Sequence, residues 1–159
     1  MKVVEALAVL VDALKEELGK AENMDDFCSM TIMPGNEIPL DLDCGGSGWV
    51  RLVSVVPSEA FPSQSARPGN CGYMLAYSVE MAVFRPAPQM RKFANDVTVP
   101  SDEENFIAAE QQMADMTAMH AAMRSASQLF PDFLLGSYVP QGPEGGLVGG
   151  VWSMTIGLD

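Results

Sequence analysis

His120 is the only histidine in the chain, so a nucleophilic mechanism needing a base beside Ser or Cys has a single ordinary candidate for that role. It stands between Met119 and Ala121 in a stretch of helical spacing, and no Gly-x-Ser-x-Gly elbow accompanies it. It reads as a boundary histidine on a helix, and a serine hydrolase is not expected. Zinc requires three or four Cys or His ligands at short paired spacings, whereas Cys28, Cys44 and Cys71 are scattered; no metal is expected. Their odd number and wide gaps are unlike a secreted disulfide framework, which makes reduced thiols in a cytosolic setting the simpler expectation. Asp25, Asp26, Asp41 and Asp43 could attract a hard cation, but the alternating oxygens, central Gly and closing Glu of an EF-hand loop are missing, and a solvated acidic loop is expected. Gly45, Gly46 and Gly48, and then Gly142, Gly145, Gly146, Gly149 and Gly150, precede strand-like segments. A phosphate cradle would instead follow a strand and open a helix. These glycines are read as turns, no cofactor is expected, and the chain is read as not an enzyme.

The elements that would position these residues follow from periodicity. Val3, Val4, Leu7, Leu10, Val11, Leu14 and Leu18 recur at three- and four-residue steps, which predicts a first amphipathic helix ending near Gly19. A long connection over residues 20 to 48 holds one short strand at Ser29 to Met33. Trp49 to Val56 is β-branched and bounded by Gly48 and Pro57, a strand. Pro57 to Cys71 and Arg85 to Pro100 read as long proline-marked loops; loops beyond about 12 residues in compact domains are often functional. Between them, Tyr73 to Val83 alternates as a long strand with one face buried. Ser101 with Glu104 forms a capping box, opening a helix that runs to about Phe130. Its core side is expected to carry Phe106, Ile107, Met113, Met116, Met119, Met123, Ala126 and Leu129. Gln141 to Gly150 reads as a turn region and Val151 to Leu158 as a closing strand, with Trp152, Met154, Ile156 and Leu158 on one face. The expectation is an α+β domain spanning 1–159: a small mixed or antiparallel sheet of about four strands with two helices packed on one face.

Composition narrows the partners. Of 159 residues, 48% are apolar, and 9 Lys+Arg stand against 21 Asp+Glu for a formal charge of −12. A chain of this length can bury a real core, so disorder is not expected. A strongly acidic surface repels polyphosphate, which argues against ordinary nucleic-acid grasping and against docking on an anionic membrane. No segment reads as a membrane span or an export signal. With no catalytic set in view, an interaction protein is the leading class.

The layout as a whole carries a resemblance. The amphipathic first helix, the Trp49–Pro62 strand and loop (WVRLVSVVPSEAFP), the YSVEMAVFRP strand from Tyr77 to Pro86, the capped helix and the segment YVPQGPEGGLVGGVWSMTIGL from Tyr138 to Leu158 resemble the tail terminator proteins of long-tailed, siphovirus-type phages that infect actinobacteria. The resemblance implies a structural subunit of a homo-oligomeric ring, a hexamer in that family. Such a ring caps the tail tube, ends tube polymerisation and docks the tail to the head. It implies the tail tube protein and a head-tail connector protein as partners, DNA that passes through without specific binding, and a place in the virion at the head-proximal end of the tail after assembly in the host cytoplasm. On that reading Phe61, Pro62, Arg67, Arg85 and Trp152 are the expected subunit or tube interface, and the acidic excess would line the bore as a non-stick surface. Two other readings stay open: a head-completion or stopper ring of the same assembly, and a small enzyme or ligand-binding α+β domain, which a deep pocket with converging polar groups would mark.

Overall fold

The computed structural model describes residues 1–20, 27–35, 44–64, 74–94 and 96–158. The first helix, α1 (Val3–Lys20), buries Ala6, Leu7, Leu10, Val11, Leu14 and Leu18. Glu5 sits in its first turn and Lys20 in its last, each sign placed where the helix dipole favours it. The second, α2 (Asp102–Ser127), starts at the expected capping box: the Ser101 hydroxyl accepts from the Glu104 amide at 3.1 Å, and the Glu104 carboxylate accepts from the Ser101 amide at 2.8 Å.

Eight strands follow in chain order: β1 (Phe27–Ile32), β2 (Gly46–Ala60), β3 (Ser63–Gln64), β4 (Met74–Pro86), β5 (Arg91–Phe93), β6 (Asp96–Thr98), β7 (Asp132–Glu144) and β8 (Leu147–Leu158). The main sheet has six strands in the order β1-β2-β4-β8-β7, with β3 hydrogen-bonded to the far end of β2; β5 and β6 form a separate two-stranded hairpin. Only the β1–β2 pairing is parallel among the described strands. The α+β class and mixed sheet agree with the sequence reading, but four strands were too few.

Each missed strand has a physical reason. β7 contains Gly136, Pro140, Gly142 and Pro143, residues that signal loops, but it is an edge strand, where proline costs no ladder bond on the solvent side. Gly145 and Gly146 have φ of +59° and +79° and make the two-residue turn that joins β7 to β8, a backbone twist that suits antiparallel strands. β2 runs on through Pro57 to Ala60, so the expected Pro57–Cys71 loop is strand at its start, β3 further on, and outside the described residues from position 65. β1 pairs with Gly46 to Val50 and β3 with Ser58 and Ala60. Pro57 thus falls between these two outer partners, where its missing N–H matters least. The expected Arg85–Pro100 loop likewise holds the end of β4 and the β5–β6 hairpin.

Both helices lie on one face of the sheet. There α1 and α2 meet Val50, Val79, Met81, Val83, Met154, Ile156 and Leu158 in one continuous apolar core. The opposite face has no helix over it and holds a smaller cluster of Met33, Trp49, Ala82, Phe84, Leu147 and Val151. The sequence reading placed the whole apolar stripe of α2 against the core; only its second half is there. Met119, Met123 and Ala126 are buried, while Phe106, Ile107, Met113 and Leu129 are exposed. At 1.5 Å per residue a 26-residue helix is about 39 Å long, and its first turns overhang the body.

Candidate interaction surfaces

Three of the five residues expected at an interface turn out to be engaged with the fold. Arg85 closes β4 and is 8% exposed, and Asp115 on α2 is 5% exposed. The guanidinium donates to both carboxylate oxygens, Nε to Oδ2 at 2.6 Å and Nη2 to Oδ1 at 2.8 Å, and its plane lies 4.7 Å from the Phe27 ring centre. This two-pronged pair satisfies the charge inside the protein, so Arg85 ties helix to sheet and is not an exposed interface cation. Trp152, on the helix face of β8, is half-buried. Its indole N–H donates to the Met116 carbonyl at 3.2 Å, and its ring lies 5.7 Å from His120 and 5.6 Å from Tyr138. His120 thus packs on an indole at the edge of the core. Burial pushes the Tyr138 phenol above its ordinary pKa of 10.0. Phe61 is half-buried: a Cβ on Gly157 would come within 3.3 Å of its ring. Pro62 next to it is exposed. Arg67 lies outside the described residues, as do Cys71 and the acidic cluster Asp25, Asp26, Asp41 and Asp43.

The open face of the sheet carries a second ion pair that sequence reasoning overlooked. Arg51 and Glu80 stand opposite each other in the β2–β4 register, and the guanidinium reaches the carboxylate at 2.7–2.8 Å, with its carbon 4.9 Å from the Trp49 ring centre. Opposite charges in the middle of two adjacent apolar strands were the available signal. Ser137, Gln141 and Ser153 join them around a cleft of about 190 Å³. That is below the roughly 300–1,000 Å³ of ordinary ligand pockets. No group of three or more metal-ligating side chains occurs among the described residues, and no described helix is long and apolar enough to cross a membrane.

One expectation is corrected outright. Cys28 and Cys44 are joined by a disulfide, with Cα atoms 5.8 Å apart. The parallel register sets Phe27 opposite Gly46, which brings Cys28 beside the residues leading into β2. A spacing of 16 residues carries no such signal, because the contact is made by strand pairing.

Exposed apolar side chains gather at two places. Met90, Val97, Val99, Phe106, Ile107 and Met113 lie along the β5–β6 hairpin and the start of α2; Met1, Val4, Val55 and Leu75 lie where β4 begins. Patches of this kind on a soluble surface mark contact sites. No protein-family model matches the chain, and a comparison with curated proteins gives no match.

Proposed function

We propose that the chain is a structural subunit of a phage tail, a terminator that assembles as a ring on the tail tube, ends its polymerisation and offers a docking face to the head. The observation that carries this reading is the subunit's unfinished surface. One sheet face lies bare of helices, a hairpin stands apart from the sheet, and apolar side chains collect at two exposed sites. A monomer gains nothing from exposing these groups, whereas a subunit covers them against its neighbours.

Charge supports the same reading. Arg51 and Arg85 are spent inside the fold on Glu80 and Asp115, and Lys15 and Lys20 pair with acids along α1. What remains outside is dominated by carboxylates, and a ring of such subunits would present DNA with like charge, so that it passes without adhering. The Cys28–Cys44 bond suits a particle that is built in a reducing cytoplasm and then released into an oxidising medium.

The test adds the purified chain to polymerising tail tube protein and images the products. The expected result is tubes of bounded length with an annular density at one end and an acidic lumen. Unchanged tube lengths with no bound density, or a ring whose bore is neutral or basic, would overturn the proposal.

A further inference from the structure

The two exposed apolar sites lie at opposite ends of one strand. β4 has 13 residues and at about 3.3 Å per residue spans roughly 40 Å. At its Pro86 end the chain continues into the β5–β6 hairpin. A two-stranded hairpin is barely stable alone in water, and this one is not hydrogen-bonded to the main sheet. An exposed ion pair from Arg91 to Glu104 at 3.2 Å links it to α2. Met90, Val97 and Val99 are 68%, 54% and 66% exposed, so the arm shows the solvent the surface a hairpin normally buries. At the Met74 end the sheet runs past the helix layer and leaves a groove of about 640 Å³, lined by Met1, Val3, Met74, Leu75, Tyr77 and Leu158.

The two ends also differ in charge. Arg91 and Lys92 give the arm two adjacent cations in a chain of net charge −12. The register sets Glu59 beside the Ser58–Met74 pair and Asp132 opposite Gly157, both at the groove end. Lys2 and Glu5 also stand there and hold each other, the Lys2 amide donating to the Glu5 carboxylate at 2.9 Å. Glu59 and Asp132 are left to face a cation.

We propose that the β5–β6 arm of one copy seats in the Met74-end groove of the next, with Val97 and Val99 on Leu75 and its neighbours and Lys92 toward Glu59 and Asp132. The occupant is a second copy of this chain because projection and groove, cation and acid, are both present on each molecule and 40 Å apart on β4. A contact made by two different patches is head-to-tail, and repeats into a ring if the rotation closes or a filament if it does not. This inference deepens the ring reading and names the contact that would build it.

The test uses the full chain in two variants: Val97→Asp with Val99→Asp in the arm, and Leu75→Lys in the groove. Sedimentation or native mass measurement reads assembly, and circular dichroism with thermal melting confirms the fold. If Leu75→Lys does not fold, Leu75→Ser takes its place. The wild type is expected to assemble beyond a dimer. Each variant alone is expected at the 17.1 kDa chain mass, and an equal mixture of the two at twice that mass and no more, because one sound arm and one sound groove remain between them. Rings that persist in both variants would overturn the arm contact and leave the ring reading standing; an arm that holds another protein gives that same result. Open filaments abolished by both variants would support the contact and overturn the ring. A wild type that remains monomeric at millimolar concentration would overturn both.

Discussion

Replacing Asp115 by Ala would leave the Arg85 guanidinium in a site where it is 8% exposed, with neither of its two carboxylate contacts. Both were charge-assisted bonds of 2.6 and 2.8 Å. Breaking a buried pair from one side costs about 3–5 kcal/mol, mostly because the surviving charge is uncompensated. For a chain of this size each kcal/mol lowers Tm by about 2–4 °C, so the variant should melt on the order of 10 °C below the parent. The double variant Arg85→Met with Asp115→Leu fills the same space without charge and is expected to recover most of that loss. Urea unfolding of the parent, both single variants and the double gives the coupling energy directly. A loss below about 1 kcal/mol for Asp115→Ala, the range of a surface ion pair, would refute the argument and mean that water reaches the guanidinium.

Two further outcomes follow from features away from that pair. Reduction of the Cys28–Cys44 bond, or Cys28→Ser, opens a loop set by a separation of 16 residues; chain-entropy reasoning gives a cost of about 3 kcal/mol, which a urea series with and without dithiothreitol would read, and equal midpoints would show that the bond adds nothing. The Ser101 amide holds the Glu104 carboxyl below its ordinary value of 4.5, so the cap's contribution is present above that pH and lost as the pH falls through the lower folded value. An amide-shift titration of Ser101 should therefore report a midpoint under 4.5, and a midpoint at or above it would contradict the capping geometry.

The parts of the fold written in local patterns were readable. The stripe of α1, the alternation of β4 and β8 and the Ser101 capping box each depend on residues a few positions apart, and each is present in the structure. What could not be read depends on partners far along the chain. β7 is rich in Gly and Pro and is a strand because β8 lies beside it. Gly149 and Gly150 sit inside β8 because the Val83 carbonyl and the Tyr138 ring occupy the space a side chain would need. The Arg85–Asp115 pair spans 30 residues, yet a charged residue inside each of two apolar stretches was a visible hint that they meet. Exposed Phe106 and Ile107 show the limit of the helical stripe: periodicity says which side of α2 is apolar, and only the length of the body decides how much of that side is covered. Of the expected interface residues, the structure leaves Pro62 exposed and Phe61 half-exposed, and the arm and groove were not legible because they arise where elements overrun one another.

The crosslink between Cys28 and Cys44 closes the crossover that any parallel pair such as β1 and β2 must have. A peptide bond cut anywhere between those two cysteines would leave the pieces as one molecule. The amino-terminal piece would keep α1, which supplies much of one wall of the core, so a nicked chain could hold its shape and lose α1 and β1 only when the sulfurs are reduced. For a protein outliving the cell that made it, that is tolerance of proteases gained from a single bond.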